Sequence, residues 1–316
     1  LLSHNVLLPN KLHKLKLYNS FSKYTFCLIY LVVVAGGVVR MTGSGMGCPD
    51  WPKCFGSWIP PTDLSDLPLN YKEIYADRGY DKLNFNVFNT WTEYINRLIG
   101  AIAGFVSLIL FIISFYTKRK SLIFFSALLV FLMGFQGWMG SLVVASILSP
   151  IKITIHMLIA LFILSLVLFL QHISTLTKTV YNKRFLYKVL ILSLFISLVQ
   201  IILGTQVRET VDVFLKEFSK SEIMNQSMPI FYIHRFVAWG VFLSNVIIIS
   251  YARNIGNISF HLLIISTVLF ILLTTGILMT YFAFPGLAQL LHLVCAVTLW
   301  SIQVDMLFKC LHYPIE

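Results

Sequence analysis

Residues 94–116 read YINRLIGAIAGFVSLILFIISFY, and this stretch decides the fold class. Beyond Arg97 it carries no charged side chain. A helix of roughly 20 apolar residues crosses the hydrocarbon layer of a bilayer. The apolar residues are continuous rather than alternating, so the stretch predicts a helix and not a barrel strand. Similar runs recur at Tyr24–Val39, Leu122–Ala145, Ile153–Gln171, Leu186–Gly204, Phe231–Tyr251, Leu262–Ala283 and Leu287–Phe308, eight in all. The 316-residue chain is 58% hydrophobic and only 12% charged, a balance no water-soluble domain of this size needs. The expectation is an all-α membrane protein with eight transmembrane helices.

Charge sets the expected orientation. Lys11, Lys14, Lys16 and Lys23 precede the first run, Lys118-Arg119-Lys120 follow the second, and Lys178, Lys183, Arg184 and Arg253 lie in later even-numbered links. The excess of positive charge on cytoplasmic loops places these links and both termini inside, facing the cytoplasm or a mitochondrial matrix. This asymmetry largely explains the formal charge of +11. It argues against a nucleic-acid partner, because the basic residues flank spans instead of forming one compact face. The partner implied is the lipid bilayer. The chain starts with Leu1 and shows no signal-peptide cleavage pattern, so the first run is expected to stay as a span. No transit sequence is evident, which points to the bacterial cytoplasmic membrane ahead of the mitochondrial inner membrane.

The opening four residues of the quoted stretch return later. Tyr94-Ile95-Asn96-Arg97 matches Tyr232-Ile233-His234-Arg235. Gly37-Val38-Val39-Arg40 ends the first run as Thr205-Gln206-Val207-Arg208 ends the fifth, and His156 matches His292. Gly137-Trp138-Met139 aligns weakly with Gly276-Ile277-Leu278. Four spans per copy preserve orientation, so two four-helix bundles related by a pseudo-twofold axis along the membrane normal are expected. The boundaries read as a cytoplasmic tail 1–22, an N-terminal half 23–173 with a long outer loop 41–91, a cytoplasmic linker 174–185, a C-terminal half 186–309 and a cytoplasmic tail 310–316.

Of the eight histidines, His156, His234 and His292 map to the outer ends of even-numbered spans. Histidines on facing bundle helices suit ligation of a porphyrin iron from both sides, and His234 with His292 would supply such a pair. Zinc fits less well, because two histidines without a nearby cysteine or carboxylate fall short of its usual four ligands. In the N-terminal copy His156 faces a change: the place of His234 is taken by Asn96, with Glu93 one turn earlier. Glu93 reads either as a complement to the helix dipole or as a proton acceptor and charge stabiliser beside a porphyrin edge. Arg40, Arg97, Arg208 and Arg235 lie at outer helix ends as repeat pairs. They read either as headgroup-seeking side chains or as partners of propionate carboxylates. Cys48 and Cys54 lie in the outer loop, as a structural staple or as a reducible pair.

Together these residues resemble one family. Gly36-Gly37-Val38-Val39-Arg40-Met41-Thr42-Gly43-Ser44-Gly45, Cys48-Pro49-Asp50-Trp51-Pro52 and Cys54-Phe55-Gly56 are similar to the haem A synthases of the cytochrome-oxidase assembly type. So are Glu93-Tyr94 with Arg97, Gln136-Gly137 with Gly140, His156, Gly204-Thr205-Gln206-Val207-Arg208, His234-Arg235 and His292. The resemblance implies an enzyme that oxidises the C8 methyl group of haem O to a formyl group, giving haem A, with oxygen drawn from water. It implies a substrate haem in the N-terminal half on His156, with Glu93 as catalytic carboxylate and Cys48 and Cys54 as a redox-linked pair. It implies haem b in the C-terminal half, between His234 and His292. Haem O synthase, cytochrome-oxidase assembly factors and an electron acceptor of unassigned identity are the implied partners, and self-association is left open.

The departure is Asn96, where the family pattern usually has histidine. Three outcomes are open: an iron five-coordinate on His156, another ligating group, or an altered N-terminal half. The rival class is a non-catalytic b-type haem protein that carries electrons or delivers haem. Glu93 and the unequal halves favour the enzyme. A transporter is a distant third, because no span is clearly broken by Gly and Pro at mid-membrane.

Overall fold

A computed structural model describes residues 2–175, 184–217, 228–253, 255, 258–282 and 284–311; for 2–11 and 215–217 it describes the backbone alone. Lys178, Lys183 and most of the linker 174–185 fall outside these residues, as do 218–227 of the second outer loop and 312–316 of the C-terminal tail. Among the described residues eight helices are long and apolar enough to cross a membrane. They are α1 (Leu2–Met41), α2 (Val87–Thr117), α3 (Lys120–Ala145), α4 (Pro150–Ser174), α5 (Arg184–Glu217), α6 (Pro229–Ala252), α7 (Ser259–Tyr281) and α8 (Gly286–Cys310). Seven of them contain one apolar run whole, and α7 carries the run Leu262–Ala283 as far as Tyr281. The protein is all-α and multi-pass, and no strand is present among the described residues.

Several helices outrun their apolar stretch, for local reasons. The Asn86 side chain accepts the Asn89 N–H and caps α2, which therefore starts a full two turns before Tyr94. Helix α5 runs on to Glu217, so the first part of the polar segment Glu209–Pro229 is helix and not loop. An Arg208–Asp212 pair at 2.9 Å, one turn apart, supports that extension. Pro229 opens α6 in the first turn, where its missing N–H has no partner to lose.

The chain forms two compact units, Leu1–Val167 and Leu168–Glu316, divided within α4. In the first, α2 packs on α1 and α3. The Tyr18 and Ser126 hydroxyls bond at 2.6 Å between α1 and α3. In the second, α5 packs on α6 and α8, and α7 packs on the same two helices, closing a ring of four. Leu190, Val241, Ile248, Ile265, Leu269 and Leu299 fill its core. A buried polar knot ties three of these helices: Gln303 donates to Ser193 at 3.0 Å and to Asn245 at 2.9 Å, Ser193 and Ser244 share a 2.9 Å bond, and Ser197 donates to Gln303 at 3.3 Å. Between helices surrounded by lipid, such hydrogen bonds and close packing take the place of a hydrophobic drive. Two residues further along α8, Asp305 bonds His261 at 2.8 Å and Lys309 at 2.6 Å, joining α7 to α8.

Candidate functional site

The outer loop folds around Phe55. Its ring meets Tyr71, Tyr75, Tyr80 and Phe85 edge-on, with centroids 5.4–6.1 Å away. Phe55 takes φ +53° and Gly56 φ +78°, a left-handed turn held by Asp50, which accepts the Phe55 N–H at 2.6 Å and the Gly56 N–H at 2.8 Å. Beside it Cys48 and Cys54 form a disulfide, and both are fully buried. Burial shields the bond from thiols and favours the staple over the reducible pair. Burial, followed by the charge of Glu93, pushes the Tyr80 phenol above its ordinary value, so it stays protonated and donates to the Met46 carbonyl.

This loop is fastened to α2 by Glu93. Glu93 is 3% exposed. Its Oε2 accepts the Gly47 N–H at 2.7 Å and the Cys48 N–H at 3.1 Å, and Arg97 reaches Oε1 at 2.5 Å. Thr90 donates to the Gly47 carbonyl at 2.9 Å. Glu93 lies in the second turn of α2, and no acidic residue stands in the first. Its partners are loop amides, not the free N–H groups of its own helix, so the dipole reading is displaced. Arg97 also donates to the carbonyls of Asp50 at 2.6 Å, Lys53 at 3.0 Å and Cys48 at 3.3 Å. The guanidinium that the sequence offered as a propionate partner is held by Glu93 and three loop carbonyls in this structure. Of the other arginines, Arg208 pairs with Asp212, Arg235 lies 5.7 Å from the Phe231 ring, and Arg40 ends α1.

The three histidines share a setting that spacing alone did not reveal. Each imidazole faces a glycine on the neighbouring helix. A Cβ on Gly140 would stand 3.6 Å from His156, one on Gly204 3.4 Å from His234, and one on Gly276 3.9 Å from His292. Glycine there leaves room for a ring. Two of these pairs repeat at the same offset of 136 residues (276 − 140 and 292 − 156). The alignment of Gly137 with Gly276 is thereby corrected: Gly140 is the counterpart, and a Cβ on Gly137 would meet nothing within 4 Å. The His234 and His292 rings lie 6.4 Å apart, centroid to centroid. Gln200 bonds His234 at 3.1 Å and Thr275 bonds His292 at 2.9 Å, while the buried Nδ1 of His234 has no partner. A metal–imidazole bond of about 2 Å on each side, plus roughly 1 Å from nitrogen to ring centre, separates two axial rings by about 6 Å, so the pair fits an iron between them. In the other unit Gln136 donates to the His156 carbonyl at 2.9 Å, and the buried His156 Nδ1 has no partner. Gln200 and Thr275, polar residues inside apolar runs, carried no sequence signal beyond their rarity there.

A family profile described as Cytochrome oxidase assembly protein, COX15-CtaA, matches residues 20–304. The chain belongs to that family. Relatives named "Heme A synthase" align with it at 26% identity in Rickettsia africae (87% of this chain, 92% of the relative) and 29% in Ehrlichia canis (88% and 89%). A third, from Shewanella oneidensis, is 30% identical over 58% of this chain and 54% of its own length. The family match covers the outer loop, the Glu93 clamp and all three glycine–histidine pairs of this COX15-CtaA protein.

Proposed function

We propose that the protein is a haem A synthase of a bacterial cytoplasmic membrane, oxidising the C8 methyl group of haem O to a formyl group with oxygen from water. The observation that carries this is the buried Glu93 carboxylate, fixed by two amides and Arg97 in the half where His156 stands without a second histidine. His156 and Gly140 are the residues to hold the substrate haem. His234 and His292 would hold a haem b, which supplies one-electron redox chemistry for removing electrons from the reaction. Converting a methyl into a formyl group with water releases electrons and protons in equal number, so an electron acceptor and a proton path are both required. The two halves read as one four-helix site for chemistry and one for electron transfer.

Glu93 acts first as a fixed negative charge. A carboxylate pre-oriented in a dry site stabilises positive charge developing beside it without reorganisation. The Gly47 and Cys48 amides fill Oε2 and Arg97 takes one side of Oε1, so the remaining lone pair of Oε1 is where Glu93 can take a proton. Arg97 orients Glu93, and Arg40, Arg208 and Arg235 are the arginines assigned to propionates. Haem O synthase as the source of substrate and cytochrome-oxidase assembly factors as recipients follow from this activity.

The test is chromatography of haems from cells and purified protein. Glu93→Ala and Glu93→Gln are expected to accumulate haem O while the C-terminal haem b spectrum stays intact. The glutamine variant keeps a carbonyl acceptor for the loop amides and loses the charge together with the bond from Arg97. Normal haem A in the glutamine variant removes Glu93 from the chemistry.

A further inference from the structure

The glycine–histidine pairing has a fourth position. Gly204 lies in α5 opposite His234, and the same repeat offset that pairs Arg40 with Arg208 (168 residues) pairs Gly36 with Gly204. The partner of His234 in the first copy is Asn96. The glycine is therefore kept and the imidazole is gone. A Cβ on Gly36 would meet nothing within 4 Å, whereas one on Gly204 would touch the His234 ring. The shorter asparagine side chain leaves open the space that the ring fills in the second copy. Its Oδ1 is buried and has no hydrogen-bond partner. A buried amide oxygen without a donor costs about 1–3 kcal/mol, and a polar space roomy enough for a water is where such a group finds its partner. The opposite side differs too. Thr275, which bonds His292, has Met139 at its repeat position, and His156 Nδ1 has no partner. One copy thus holds two histidines that each bond a neighbouring side chain; the other holds one histidine with an unpartnered Nδ1 and an asparagine with an unpartnered Oδ1.

Resting on the haem A synthase reading, we infer that Asn96 binds the water co-substrate in the half where His156 would hold the substrate haem. The side-chain oxygen accepts from the water and the amide nitrogen donates to it. The asparagine therefore sets what binds there: a small hydrogen-bonding ligand enters, and an imidazole no longer blocks it. Asn96 is a specificity-determining residue for the co-substrate.

The experiment uses the purified, haem-loaded protein in detergent, read by optical and electron paramagnetic resonance spectra, with cyanide and fluoride as probes. The wild type is expected to show one low-spin haem that ignores both probes, from His234 and His292, and one high-spin haem that binds them. Asn96→His is expected to turn the second haem low-spin and abolish probe binding. Asn96→Ala is expected to keep the high-spin signal and weaken fluoride about tenfold, the loss of one hydrogen bond to a charged ligand. The low-spin signal of the other half reports that the C-terminal half has folded, and two haems bound per chain report that the half carrying Asn96 still holds its own. A wild-type N-terminal haem that is low-spin and refuses cyanide overturns the inference, as does a spectrum unmoved by Asn96→His or fluoride affinity unmoved by Asn96→Ala. A protein that carries the low-spin haem alone overturns it together with the proposed function. Haem O left unconverted by a protein showing the expected spectra removes the synthase reading and leaves the ligand site standing.

Discussion

At the scale of single residues, the clearest constraint is Gly47. A Cβ there would fall 2.3 Å from the Asn89 carbonyl oxygen on α2, and backbone cannot step aside. Gly45 has Leu148 side-chain carbons at 3.2 Å and 3.3 Å, which can rotate away. Gly47→Ala is therefore expected to lift the loop from α2, break both amide bonds to Glu93 and abolish haem A formation. Gly45→Ala should be mild, and equal activities of the two would count against the clamp. Arg97 and Glu93 form a pair whose side chains are 13% and 5% exposed. Removing one partner of such a pair leaves a buried charge and costs about 3–5 kcal/mol. Arg97→Ala should lower the thermal midpoint of the N-terminal half, a shift that scanning calorimetry in detergent reads; an unchanged midpoint would mean the pair contributes no stability. Glu93 was legible in sequence as an acid beside a missing histidine. Gly47, Thr90 and Tyr80 were not, because their roles come from a loop returning across the mouth of α2.

At the scale of elements, the outer loop and the polar knot make separate predictions. The Cys48–Cys54 bond closes a short loop and by chain entropy contributes about 2–3 kcal/mol. Because both sulfurs are buried, a mild dithiol should leave the native protein oxidised and reduce it only once unfolded. Rapid labelling of Cys48 and Cys54 in the native state would contradict the staple. In the second unit Gln303 serves Ser193, Ser197 and Asn245 at once. Gln303→Leu leaves those groups short of partners and should cost about 1–2 kcal/mol, measured as a shift in denaturant midpoint in detergent. The helices themselves were readable from apolar length. Their ends were not: Asn86 capping α2 and the Arg208–Asp212 pair extending α5 are polar details outside the apolar runs.

At the scale of the whole molecule, the proposal divides labour between two copies of one unit. His234→Ala or His292→Ala should remove the low-spin b-type signal and leave the high-spin haem of the other half. An unchanged spectrum would mean the iron is held elsewhere. The division follows from a few side chains: histidine against Asn96, Thr275 against Met139, and a Glu93 that has Phe231 at its place in the other copy. The scaffold is shared, with a glycine facing each of the three histidines.

The sequence by itself determined the eight helices, because a continuous apolar run long enough to cross a bilayer has no other way to satisfy its backbone. It determined the candidate histidines, the acid and the cysteines, because few chemically active residues occur at the ends of such runs. Only the tertiary structure decided what those residues touch. The commitment of Arg97 to Glu93, the burial of the disulfide, the pairing of Gly140 rather than Gly137 with Gly276, and the open space at Gly36 all depend on contacts between segments far apart in the chain. Such contacts are set by side-chain packing across helices, and no local periodicity encodes them.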